Sequence, residues 1–334
     1  MPNIAVVGMG NWGMNLVRVY NQLESLYIGC DMDPNKIHFM RNHYHNVKFT
    51  DSFSEILNDR KVDGIVISTP SPTHYELARK AMQADKAVYI EKPMTLDSGE
   101  AEDLVALAEN KRLPLMVGHL LRYHPAVHKI KELIEKNELG DIYYIYSQRT
   151  NLGTIRKDEN ALWSFAPHDI SVILYLIGHE IDTVSARGGA YLQKDIEDVV
   201  FLNIQYKDKT MANLQLSWLD PYKERKFTIV GSKKMVTFDD MQHTEKIRIC
   251  DKGVHKEPGY VSYGDSLTLR FGDINIPKID ITEPLKLECQ HFLECIDKNK
   301  EPDTSGRDGV KVVKILEKAQ ASMQQNGHPV KVSL

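Results

Sequence analysis

Two short segments set acid–base groups at points where the chain turns. Tyr89-Ile90-Glu91-Lys92-Pro93 ends an apolar run with a lysine held between a carboxylate and a proline, and Pro167-His168-Asp169 puts an imidazole beside a second carboxylate. A lysine in that setting can relay a proton or donate a hydrogen bond to a reacting hydroxyl, with its protonation set by burial and charged neighbours. The Lys92–Pro93 bond can be cis, which would aim the lysine at a cleft. Pro167 suits a first helical turn, so His168 and Asp169 are expected at a helix start, where the positive dipole end favours a neutral, proton-accepting imidazole. The plain alternatives are a solvated lysine at a strand end, and a histidine that packs the helix end while Asp169 stabilises its first turn.

A third segment supplies a place for a redox cofactor. Gly8-Met9-Gly10-Asn11-Trp12-Gly13 follows the apolar run Ile4-Ala5-Val6-Val7 and opens a helix. Gly8 allows the tight turn, Gly10 lets the backbone approach a pyrophosphate, and Gly13 lets helix pack close on strand. The N–H groups at the helix start, with Asn11 and Trp12 there, face the phosphate. Asp31, at the end of the next apolar run, is placed to accept hydrogen bonds from an adenosine ribose. A 2′-phosphate would be repelled by it, so the expected cofactor is NAD; Lys36 and Arg41 nearby keep NADP as the lesser alternative. The segment Ser68-Thr69-Pro70-Ser71-Pro72-Thr73-His74 is a rigid loop after another buried strand. Thr69 and Pro70 are expected beside the cofactor, along with Glu91 and Lys92, while His74 is equally suited to capping a helix or touching the cofactor.

These segments need a scaffold that brings strand ends to one edge. The first 120 residues alternate short β-type runs with helical ones, as in Gly64 to Ser68, His74 to Gln83, Ala87 to Ile90 and Ser98 to Asn110. Continuous apolar strands with crossover helices indicate a doubly wound parallel sheet, an α/β Rossmann domain over 1–120. Beyond Leu139-Gly140-Asp141 the strands lengthen: Ile142 to Asn151, Val199 to Tyr206, Thr210 to Trp218, Lys223 to Val230 and Met235 to Phe238. Helices are expected over Pro125 to Asn137, His168 to Ile177, Glu283 to Asn299 and Ser305 to Gln325. The region 121–334 therefore reads as an α+β domain with a large, mostly antiparallel open sheet, whose bare face a second subunit can cover, as homodimer or homotetramer.

The bulk numbers narrow the function. A chain of 334 residues with 42% hydrophobic and 26% charged residues can form two ordinary globular cores. Its net charge of −4 argues against nucleic acid as a partner. No apolar run approaches the roughly 20 residues of a membrane span. The start Met1-Pro2-Asn3 leaves no room for a secretory leader before the first strand, so a cytoplasmic location is expected. Cys30, Cys250, Cys289 and Cys295 include no CxxC pair and read as reduced core thiols, with no metal site implied.

In order along the chain, Gly8-x-Gly10-x-x-Gly13, Thr69-Pro70…His74, Glu91-Lys92-Pro93, Gly118-His119…Arg122-Tyr123 and Pro167-His168-Asp169 resemble the Gfo/Idh/MocA family of nicotinamide-dependent sugar oxidoreductases. The resemblance spans nearly the whole chain and implies Lys92 and His168 as the catalytic pair. The stretch Asn160-x-Leu162-Trp163-x-x-Ala166-Pro167-His168-Asp169 is most similar to the branch that oxidises C3 of UDP-N-acetylglucosamine, or of its uronate, before transamination. Many members carry an aspartate four residues before the histidine, where this chain has Ser164. Substrate contacts are then expected from Arg122, Tyr123, Arg149, Asn151, Arg156, Asn160, Ser164 and His168, although Arg149 could equally pair across the sheet. A free polyol such as an inositol is a second substrate class, and a redox-silent NAD(H) sensor a reading of another kind. Both acid–base residues argue for catalysis, since binding alone needs neither.

Overall fold

The computed structural model describes residues 1–256, 267–280 and 282–334. The chain forms two compact units, Met1–Tyr123 with Thr282–Lys314, and His124–Ile281 with Ile315–Leu334.

The first unit carries strands β1 (Ile4–Val7), β2 (Leu26–Cys30), β3 (Lys48–Thr50), β4 (Gly64–Ile67), β5 (Ala87–Glu91) and β6 (Leu115–Gly118), with helices α1 (Asn11–Gln22), α2 (Pro34–His43), α3 (Phe53–Asn58), α4 (His74–Gln83) and α5 (Ser98–Lys111) between them. The strands are parallel and ordered β3-β2-β1-β4-β5-β6. β1, β4, β5 and β6 are buried along their whole length, as a sheet covered on both faces requires. Chain order reverses between β1 and β4, so the loops after these two strands part there and leave a crevice at the carboxyl edge.

The expected boundary at residue 120 left all C-terminal helices to the second domain. The contacts divide the chain differently: helix α8 (Pro284–Lys298) packs Leu285, Cys289, Phe292 and Leu293 into the core formed by Ile4, Leu16, Tyr20, Tyr89 and Met116. Phe292 meets the Tyr89 ring edge-on at 5.8 Å. An apolar helix face returning from the far end of the sequence completes the cover of this sheet, which periodicity alone does not reveal.

The second unit carries helix α6 (Pro125–Glu135), strand β7 (Ile142–Leu152), helix α7 (Ala161–Ile177) and strands β8 (Ile181–Gly189), β9 (Val199–Tyr206), β10 (Met211–Ser217), β11 (Leu219–Gly231), β12 (Met235–Asp239), β13 (Ile247–Lys256) and β14 (Leu267–Asn275). Helix α9 (Gly306–Gln324) and strand β15 (Val330–Lys331) end the chain. The sheet runs β14-β13-β12-β11-β7-β10-β9-β8-β15, antiparallel except for the β7–β10 pair. The five strands expected from sequence are present; β8, β13, β14 and β15 were not foreseen. β8 spreads its buried residues, Ile181, Val184 and Ala186, among Asp, Thr, Ser, Arg and Gly, and the edge strand β14 exposes Leu269, Phe271 and Ile274. β8 gives no clean alternating pattern, whereas the sequence of β14 does alternate, Leu267, Leu269 and Phe271 with Thr268 and Arg270, and that signal was passed over.

All four cysteines are free, three of them buried. Among the described residues no helix is long and apolar enough to cross a membrane.

Candidate active site

The glycine turn is built as its sequence requires. Gly8 has φ 91°, a left-handed conformation, and a Cβ there would lie 2.8 Å from the main chain of Ser68 and Thr69. A Cβ on Gly13 would fall 1.9 Å from the Gly8 carbonyl oxygen. A Cβ on Gly10 would meet nothing within 4 Å, so its backbone faces open space on the side where a pyrophosphate would approach. Ser68 Oγ donates to the Gly8 carbonyl at 2.7 Å and ties the loop after β4 to this turn. Asp31 follows β2: its Oδ2 accepts the Met9 N–H at 2.6 Å, its Oδ1 the Asp33 N–H at 3.0 Å, and Lys36 Nζ stands 3.2 Å away. Burial opposes the charge of Asp31, but these N–H groups and Lys36 hold its carboxyl below the ordinary carboxylate range. A fixed, ionised acceptor beside an open glycine turn fits the ribose and pyrophosphate of NAD.

Lys92 follows β5 directly, on the same carboxyl edge, half-buried, and its bond to Pro93 is cis. Glu91 is buried, and its Oε1 accepts from Trp12 Nε1 at 2.5 Å and from Tyr89 OH at 3.0 Å. Burial pushes its carboxyl up, against the pull of Trp12, Lys92 and Tyr89. Trp12 and Glu91, expected as separate cofactor contacts, thus bind each other and brace the glycine turn against the lysine segment. His74 neither caps nor points outward: its Nδ1 lies 2.9 Å from the Pro93 carbonyl and its Nε2 2.9 Å from that of Thr69. Burial lowers its pKa against the pull of those two carbonyls, and a neutral ring, with one N–H, can donate to only one of them, so the ring packs between the loops after β4 and β5 and bonds one of the two.

Arg122 and Tyr123, expected at the substrate, hold the returning C-terminal segment. Arg122 Nη2 donates to the Asp303 carbonyl at 2.6 Å and Nη1 pairs with Asp308 at 3.2 Å. Tyr123 OH lies 2.8 Å from His291 Nδ1 and 3.2 Å from Thr304 Oγ1. His119, quoted in the motif Gly118-His119 but given no role from sequence, follows β6 on the carboxyl edge. Its ring is buried, neither nitrogen has a hydrogen-bond partner among the described residues, and its pKa falls to about 3, chiefly through burial and then through Arg122 and Lys92. A titratable residue directly after a buried strand on the same edge as Lys92 was the available signal.

In the second unit, α7 begins at Ala161, with Asn160 as N-cap accepting the Trp163 N–H at 3.2 Å, and Pro167 lies inside the helix. The expected start at Pro167 is therefore corrected: an asparagine cap outweighs a proline as a start signal, and His168 and Asp169 sit two turns in, away from the helix terminus. The dipole argument for a neutral His168 lapses. Ser164 and His168, four residues apart, share one helix face. Asp169 is buried and takes both Arg149 contacts, Nε to Oδ2 at 2.8 Å and Nη2 to Oδ1 at 2.9 Å. Arg149 is thus paired within the protein, but with a carboxylate on α7 and not across the sheet as the alternative had it, so it fixes α7 on β7. Asn160 Nδ2 is engaged by Glu197 at 2.6 Å and Gln320 at 2.9 Å. Asn151 is half-buried near the end of β7, and exposed Arg156 pairs with Glu159 at 3.3 Å.

A doubly wound NAD-binding domain with a strand-end lysine, followed by an open-sheet domain, defines a nicotinamide-dependent oxidoreductase. Residues 2–119 match the family described as oxidoreductase family, NAD-binding Rossmann fold, and residues 127–237 match the GFO/IDH/MocA C-terminal domain. The chain belongs to the Gfo/Idh/MocA family. It is 29% identical to the UDP-N-acetylglucosamine 3-dehydrogenase of Acidithiobacillus ferrooxidans over 71% of each chain. A solved structure of that enzyme superposes with a TM-score of 0.82 at 24% identity, covering 97% of this chain and 98% of the other. It is also 24% identical to the scyllo-inositol 2-dehydrogenase (NAD(+)) of Bacillus subtilis, over 86% of this chain and 82% of that one. The 2,7-anhydro-N-acetylneuraminate hydratase of Escherichia coli is 23% identical over 76% of this chain and 72% of its own length.

Proposed function

We propose that the chain oxidises C3 of a UDP-linked N-acetylamino sugar, UDP-N-acetylglucosamine, to a 3-keto sugar, with NAD as acceptor. The observation that carries the reading is the likeness to the Acidithiobacillus dehydrogenase, which holds in sequence over 71% of each chain and in fold over nearly all of both. NAD, when bound, supplies the hydride acceptor. Gly8, Gly10 and Gly13 make room for its pyrophosphate, and Asp31 accepts its ribose hydroxyls. His168 takes the proton of the sugar hydroxyl as the carbonyl forms, and Lys92 donates a hydrogen bond to that oxygen. Ser164, on the His168 face of α7, offers a neutral hydrogen bond to the sugar. With Arg149 and Asn160 buried against protein partners, the polar groups left for the substrate include the Asn151 amide at the end of β7 and Arg156, whose exposed pairing with Glu159 is weak enough to exchange for an anionic substrate group. The open face of the second sheet, where Tyr144, its neighbour Met211 and Tyr146 are exposed together and Phe201 is exposed further along, is where a second copy would dock.

Purified protein given NAD and UDP-N-acetylglucosamine should form NADH, or exchange the C3 hydrogen if net oxidation is disfavoured. Turnover of an inositol or of the uronate, with neither signal from UDP-N-acetylglucosamine, would replace this reading by one of its rivals.

A further inference from the structure

The mechanism leaves one deeply buried ionisable group unexplained. Glu288, on α8, has no solvent exposure, and neither carboxyl oxygen has a hydrogen-bond partner by geometry among the described residues. It packs behind Glu91: the Tyr89 hydroxyl, spent on Glu91 Oε1 at 3.0 Å, lies against both carboxyls, and Phe292, one turn after Glu288, meets the Tyr89 ring. The two carboxyls are unequal. Glu91 has the Trp12 indole N–H, the Tyr89 hydroxyl and the neighbouring charge of Lys92, whereas the other groups facing Glu288 are Tyr20, Tyr123 and Cys289, none of them cationic. A buried carboxylate with no cation, whose one neighbouring donor, the Tyr89 hydroxyl, bonds Glu91 by geometry and only partly offsets the burial, takes up a proton, and a second negative charge beside Glu91 reinforces this.

We infer that Glu91 and Glu288 form a buried carboxyl pair in which Glu288 permanently carries the proton, making Glu288 the positioning residue that keeps Glu91 ionised and fastened to Trp12 beside Lys92. The Glu91 end of the pair is tightly seated, since a Cβ on Gly118 would fall 2.8 Å from Tyr89 OH and 2.9 Å from Glu91 Oε2. Burial and the Glu91 charge drive the Glu288 carboxyl far above the usual carboxylate range. Its folded-state value being raised, Glu288 contributes stability that is complete below its unfolded pKa and is lost as pH climbs toward the folded one. Loss of the proton would put two carboxylates side by side and push Glu91 off Trp12.

The test compares wild type with Glu288→Gln, which keeps the shape and the neutrality. In protein labelled with 13C at the glutamate carboxyls, the signal lost in Glu288→Gln should keep a protonated shift in wild type from about pH 5 to about pH 9, where an ordinary glutamate is ionised. The denaturation midpoint of Glu288→Gln should rise relative to wild type as pH increases over that range. A Glu288 signal that titrates near about pH 4, or a midpoint difference constant with pH, would overturn the inference. These readouts need no turnover, so they stand apart from the reading of Lys92 as an acid–base group. Where that reading holds, Glu288→Gln should keep KM for NAD within about 2-fold and extend the alkaline limb of kcat. Glu91→Gln should lower kcat at every pH and should not be rescued by Glu288→Gln.

Discussion

Arg149→Met removes one half of the pair that fixes the His168 helix, and its cost can be worked from the geometry. The guanidinium makes two bonds to Asp169, at 2.8 and 2.9 Å, and the side chains are only 9% and 5% exposed, so solvent and salt screen them little. Removing the cation strands a buried carboxylate, for which about 3–5 kcal/mol is usual. At a urea m-value of about 3 kcal/mol per M, the midpoint of the second unit should fall by about 1–2 M. Trp163 and Trp218, both in that unit, report the transition by fluorescence. Combining Arg149→Met with Asp169→Leu should recover most of it at neutral pH, because a well-packed apolar pair can replace a buried ion pair. Activity should stay low in the double variant if the pair also sets the orientation of α7. A midpoint shift under about 0.3 M in the single variant, or a double variant less stable than the single, would refute the assignment.

Lys92→Ala should bind NAD normally, since the phosphate and ribose contacts lie elsewhere, yet lose about 10²–10⁴-fold in kcat; equilibrium NAD binding and steady-state rates separate the two effects. Gly13→Ala puts a methyl 1.9 Å from a main-chain oxygen that cannot move freely, so it should cost about 3 kcal/mol or more and weaken NAD binding at least about 10-fold, by calorimetry. His119, held neutral with its pKa lowered to about 3, contributes stability that is complete above its unfolded value of about 6.5 and is lost as pH falls toward about 3. His119→Asn should flatten that decline by up to about 1.4 kcal/mol per pH unit, measured by denaturant titration between those limits.

Local chemistry determined much of this protein from sequence. Gly8 and Gly13 are demanded by contacts within a single turn and its neighbouring loop, the strands β1, β4 and β5 by unbroken apolar runs, and the cofactor by the glycines with Asp31. The helix carrying His168 was legible, but its start was misread, because Pro167 looked like a first-turn residue and Asn160 was weighed only as a ligand. What tertiary structure decided was the employment of each polar side chain. Arg149, Asn160, Arg122 and His74 read as ligand contacts, Arg149 and His74 with a structural role as an equal alternative, yet their partners, Asp169, Gln320, Asp308 and the carbonyls of Thr69 and Pro93, include groups up to 186 residues away. A side chain's type and spacing define which bonds it can make; only the fold defines which partner reaches it first. The same holds for Glu91 and Glu288, whose meeting depends on α8 returning to the first sheet, where burial sets how their protons are divided.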